Sequence, residues 1–107
     1  MTDLPIAGFV ALSAVLLGVG IFGILTRRNF ILLHIAIEVA MNAAILNFVV
    51  FGASWGASPS YGLEGQSVAV VLIGLAATEV AVGLAIVLAL NRLRGSINVA
   101  EATALKH

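Results

Sequence analysis

Residues Ile31–Ile45 read ILLHIAIEVAMNAAI, an apolar run holding three strongly polar side chains, His34, Glu38 and Asn42, at four-residue intervals. Four residues is slightly more than one helical turn, so a helix carries the three as one slowly drifting stripe. The apolar run itself extends from Phe30 to Phe51. As a helix it is long enough to cross a bilayer, for which about 20 residues suffice. Glu38 is then an expensive residue, because a charged side chain near the bilayer centre costs roughly 2.5–3.5 kcal/mol on insertion scales. Its presence demands a functional account.

The rest of the chain has the same character. Of its 107 residues 62% are hydrophobic and 9% charged, with a mean hydropathy of +1.18. A soluble domain carries about 25% charged residues. Two further apolar segments, 5–25 and 67–90, can each span a membrane. The fold class read from this pattern is an all-α integral membrane protein. It forms one membrane domain over 1–107, with three transmembrane helices at about 5–25, 30–51 and 67–90 and a polar tail at 91–107. The first span is expected to be retained rather than cleaved as a signal. Only Asp3 and no basic residue precedes it, and its apolar core exceeds the usual ~7–15 residues.

Arg27 and Arg28 lie between the first two spans, and Arg92, Arg94 and Lys106 follow the third. Three spans put all of these on one side of the membrane. The positive-inside rule therefore predicts the N-terminus outside and the C-terminus inside. Several chemistries find no support. Without cysteine there is neither a disulfide nor a thiolate metal site. No basic patch suits nucleic acid, and no Ser-His-Asp arrangement has room outside the membrane. Gly18-Val19-Gly20 with Gly23 fits a GxGxxG pattern but lies inside a span with no strand before it.

Small residues suggest where helices approach. Ala7, Ala11, Ala14 and Gly18 share a face of span one, Ala36, Ala40 and Ala44 one of span two, and Ala77, Ala81, Ala85 and Ala89 one of span three. Each is a candidate contact stripe. The turn Thr26-Arg27-Arg28-Asn29 is so short that the first two spans must be antiparallel neighbours. Residues 52–66, rich in Gly and Ser and containing Pro59, read as the outside loop. Trp55 and Tyr61 suit the interface there.

Glu79 is the second acid within a span. Glu38 is eight residues from Phe30, about 12 Å of rise, and Glu79 eleven from Leu90, about 16 Å, so both are expected near mid-membrane at similar depth. Low dielectric disfavours an ionised carboxyl group, which makes proton uptake and release responsive to nearby charge. Intramembrane acids are by default a hypothesis of proton or ion movement, and two in three spans favour a relay over mere interhelical hydrogen bonding. His34 suggests a proton step between Glu38 and the inside, against a plain packing role. Asn42 reads more readily as interhelical glue, and Arg27 and Arg28 as anchors that also face any partner on the inside. A rotor subunit would have two spans and one acid, and a small exporter would line a cavity with aromatic residues. A purely structural scaffold is the remaining alternative. Small-residue faces on all three helices imply neighbouring subunits.

The chain resembles, over nearly its whole length, the K-subunit (4L-type) family of proton-pumping NADH:quinone oxidoreductase, respiratory complex I. The resemblance is carried by GVGIFGILTRRN, IEVAMNAAILNFVV and GQSVAVVLIGLAATEVAVGLAIVLAL. It implies a non-redox membrane-arm subunit in which Glu38 and Glu79 belong to a chain of polar groups coupling quinone reduction to proton pumping. Arg27 and Arg28 match loop arginines implicated in the family's activity. The resemblance also implies that NADH, FMN, iron–sulfur clusters and quinone are held by other subunits, with no cofactor or metal in this chain. It implies antiporter-like membrane subunits as partners, and a multi-pass location in the bacterial inner membrane. His34 departs from the apolar residue usual in the family. Related subunits of cation/proton antiporters and membrane-bound hydrogenases form the alternative, and the presence of both glutamates favours the oxidoreductase.

Overall fold

The computed structural model describes residues 5–54, 59–95 and 99. Three helices account for nearly all of them: α1 (Ile6–Thr26), α2 (Phe30–Ser54) and α3 (Pro59–Arg94). All three are long and apolar enough to cross a membrane, and the chain is an all-helical three-span protein. Backbone polarity dictates this form, since hydrocarbon offers no partner for N–H and C=O groups and a helix satisfies them internally.

The ends of the helices are set by local chemistry. Thr26 closes α1 by donating its hydroxyl to the Phe22 carbonyl at 2.7 Å, and the Arg27 N–H reaches the Gly23 carbonyl at 3.0 Å. Two residues later Asn29 starts α2. Its Oδ1 accepts the Ile31 N–H at 2.9 Å and the Leu32 N–H at 3.5 Å, satisfying donors that the first turn leaves free. Gly95 ends α3 in the left-handed region, φ +67°, with its N–H on the Asn91 carbonyl at 2.8 Å.

The expected loop at 52–66 is largely helical. α2 continues to Ser54 and α3 begins at Pro59, eight residues before the apolar segment. Composition marks where hydrocarbon ends, whereas a helix ends only where its hydrogen bonds are replaced. At 36 residues α3 measures about 54 Å, well beyond the ~30 Å of hydrocarbon, so it projects from the bilayer. Trp55, the Tyr61 side chain, and residues 96–98 and 100–107 of the tail lie outside the described residues. Val99 donates its N–H to the Arg28 carbonyl at 2.8 Å, which ties the tail to the α1–α2 turn.

α2 is the central helix, packed on one side by α1 and on the other by α3. The contacts are built from small residues. A Cβ added to Gly20 would lie 2.7 Å from the Ala40 Cβ and 2.7 Å from its backbone N; one at Gly23 would lie 2.6 Å from the Ala36 Cβ. On the other side a Cβ at Gly65 would meet the Gly52 Cα at 2.7 Å. Ala36, Ala43, Ala69 and Ala76 are buried, while Val15, Phe22, Leu25, Val70, Val71 and Leu88 face outward. In water such an exterior would aggregate; in lipid it is the solvent-facing surface.

Two of the three expected stripes are not used between the chain's own helices. Ala7, Ala11, Ala14 and Gly18 are exposed, as are Ala77, Ala81, Ala85 and Ala89. The contacting face of α1 instead runs through Phe9, Ser13, Leu16, Gly20 and Gly23, and that of α3 through Ala69, Leu72, Ala76, Val80, Gly83 and Val87. On α2, Ala36 and Ala40 do meet α1, whereas Ala44 is exposed. Gly20 and Gly23 decide the α1 face because neither carries a side chain to hold the helices apart.

Candidate functional site

The site is the seam between α2 and α3. His34 sets its register. A Cβ added to Gly83 would lie 2.8 Å from Cε1 and 2.9 Å from Nδ1 of the imidazole, so the ring occupies the space that Gly83 leaves open. The helices are antiparallel, as the Gly65–Gly52 contact further along requires. Four residues onward from His34 is Glu38, and four residues back from Gly83 is Glu79. Each step is about 6 Å along its helix in the same direction. The two acids therefore stand at one level, a turn above the His34–Gly83 contact.

At that level they face different ways. Glu38 is half-buried, in a cleft of about 210 Å³ with Ile31, His34, Ile35, Val80, Gly83 and Leu84 in its wall. Glu79 is exposed on this chain and lines a second cleft of about 340 Å³ with His34, Ile37, Thr78, Val82, Gly83 and Ile86. Only His34 and Gly83 border both. Buried Oε2 of Glu38 and Nε2 of His34 have no hydrogen-bond partner among the described residues. In an apolar wall such atoms carry an uncompensated desolvation cost.

The other candidates are not brought to this seam. Asn42 is exposed and borders neither cleft. Each four-residue step advances about 400° around the helix, so by Asn42 the stripe begun at His34 has drifted by roughly 80°. Arg27 lines a separate cleft of about 260 Å³ between α1 and α2, with Phe22, Gly23, Leu32 and Val39. The Arg28 side chain is exposed, at the turn held by Val99. One residue escaped the sequence reading. Asn47 carries a buried Oδ1 without a partner among the described residues. The available signal was its spacing: it is four residues beyond Ala43 and eleven beyond Ala36, both buried, and eleven residues bring a helix back to nearly the same face.

Fold and seam define a three-span membrane chain that brings His34 and two acids together where α2 meets α3. Residues 8–107 match the family described as NADH-ubiquinone/plastoquinone oxidoreductase chain 4L. Relatives named NADH-quinone oxidoreductase subunit K are similar along their full length. One from Anaeromyxobacter sp. (strain K) is 42% identical over 95% of this chain and 98% of its own. One from Geobacillus sp. (strain WCH70) is 40% identical over the whole of both, and one from Deinococcus radiodurans is 40% identical over 95% and 94%. The chain belongs to the chain 4L, or subunit K, family of NADH-quinone oxidoreductases.

Proposed function

We propose that the chain serves as a non-redox membrane-arm subunit of a proton-pumping NADH:quinone oxidoreductase, in which Glu38 and Glu79 relay charge between neighbouring subunits. The observation that carries this reading is the register of the seam: two acids on facing helices at one level, one half-buried and one exposed on this chain. Groups on facing packed helices are on the order of 10 Å apart. At an effective dielectric of about 20, two charges at that separation interact by roughly 1.7 kcal/mol. Ionisation of one acid is thereby felt by the other without a continuous proton path inside three helices.

In this reading the full-length similarity to proteins named as subunit K supplies the context. Electron transfer from NADH through FMN and iron–sulfur clusters to quinone belongs to other subunits, and antiporter-like subunits are the neighbours that receive the charge signal. The arginine-bearing ends face the cytoplasm, and the bacterial inner membrane is the setting. The test uses the assembled complex in membrane vesicles. Glu38→Gln and Glu79→Gln each remove a charge at nearly constant shape, and each is expected to depress quinone reduction coupled to pumping. Wild-type turnover and pumping in both variants sinks the relay. Mass spectrometry of the mildly solubilised assembly addresses the context, since recovery without flavin and iron–sulfur subunits contradicts it.

A further inference from the structure

We propose that His34 is a relay residue that passes protons between Glu38 and Glu79 across the α2–α3 seam, a proposal that rests on the glutamate reading above. His34 and Gly83 alone border both the Glu38 cleft and the Glu79 cleft, and of the two only His34 has a side chain. The ring sits in the seam itself, because a Cβ on Gly83 would fall 2.8 Å from Cε1 and 3.2 Å from Nε2. Its buried Nε2 and the buried Oε2 of Glu38 both lack a partner among the described residues. Lateral transfer thus replaces the step toward the inside that the helical stripe alone suggests.

Imidazole is suited to this position. In its neutral form one ring nitrogen accepts and the other donates. The acceptor nitrogen takes the proton of a protonated Glu38 carboxyl group, giving imidazolium and a carboxylate. The other nitrogen then releases its proton to the Glu79 carboxylate. Glu38 ends ionised, Glu79 ends neutral, and the ring is again neutral with its tautomer exchanged; passage in reverse restores the start. The clefts, of about 210 and 340 Å³, leave room beside the ring on both sides. Glu38 on α2 and Glu79 on α3 are the titratable groups that share clefts with the ring, and α1 has none along Ile6–Thr26.

The test uses the assembled complex with His34→Gln, His34→Leu, Glu38→Gln, Glu79→Gln and the double variant H34Q/E79Q, with rates normalised to complex on native gels. Glutamine preserves bulk and hydrogen bonding but cannot carry a proton near neutrality, so it restores a packing role and not a relay. Both His34 variants are expected to lower coupled turnover at least about fivefold, the low end of ordinary couplings between sites. H34Q should add nothing to E79Q. Wild-type turnover in H34Q while E38Q and E79Q both lose activity overturns the His34 proposal and leaves the glutamate reading standing. Loss in H34L that H34Q restores reduces His34 to packing and overturns it equally. Wild-type rates in both glutamate variants overturn the underlying reading first.

Discussion

Glycines two residues apart on α1 should respond oppositely to the same added methyl group. At Gly20 a Cβ would lie 2.7 Å from the Ala40 Cβ, 2.7 Å from its backbone N and 2.9 Å from its Cα. Carbon atoms pack at about 3.5–4.0 Å, so Gly20→Ala falls short by roughly 0.8–1.3 Å. Two of the three atoms in the way are backbone, which has no rotamer to change, and relief requires α1 to move off α2. Overpacking of this kind costs about 1–3 kcal/mol. Replacing glycine by alanine in a helix returns about 0.5–1 kcal/mol. The expected net loss is therefore roughly 0–2.5 kcal/mol, up to about 70-fold in the equilibrium between packed and separated helices. At Gly18 nothing lies within 4 Å of the added Cβ, so Gly18→Ala should be neutral or stabilising by up to about 1 kcal/mol. The assay is SDS titration of the reconstituted protein in mixed micelles, following energy transfer between dyes on α1 and α2. Equal midpoints for the two variants, or a lower one for Gly18→Ala, would refute the assignment of the α1 contact face.

Three further outcomes follow from particular contacts. Asn29→Ala removes the Oδ1 that accepts the Ile31 and Leu32 N–H groups, and the same titration should show a loss of about 1 kcal/mol, the usual worth of an N-cap. Asn47→Leu replaces a buried acceptor that has no partner among the described residues. Its titration midpoint should stay level or rise, because removing an unsatisfied group relieves a penalty of about 1–3 kcal/mol; a clear fall would mean that Asn47 has a partner. The chain contains no cysteine, so single-cysteine variants report topology cleanly. Glu64→Cys is expected to react with a membrane-impermeant thiol reagent in spheroplasts and Leu93→Cys only after lysis; the reverse pattern inverts the orientation argued from the arginines.

Much of the architecture is legible without coordinates, and the reason is solvent. Three apolar runs with so few charges have one stable state, the membrane-spanning helix, and the short Thr26–Asn29 turn makes the first two antiparallel. That Glu38 and Glu79 stand at a similar level follows from helical rise alone. Composition also left definite points open. The alanine ladders on α1 and α3 are not the faces that meet α2, because alanine is common on every side of these helices. In a soluble protein the apolar face would mark the interior. In lipid both faces are apolar, and that signal disappears. Pro59 and the glycines after Ser54 suggested a long loop, but hydrogen bonding carries α3 well past the end of the apolar segment.

The amino-acid sequence by itself determined the class of fold, the number of spans, the family and the two acids that cost most to bury. Only the tertiary structure decided which way those acids face. Glu38 enters one side of the α2–α3 seam, Glu79 opens on the other, and His34, opposite Gly83 a turn away, borders both clefts. Depth depends on a residue's distance along its own helix, which one chain segment specifies. Facing depends on the rotation of one helix against another, which is set by where a missing Cβ lets two backbones close.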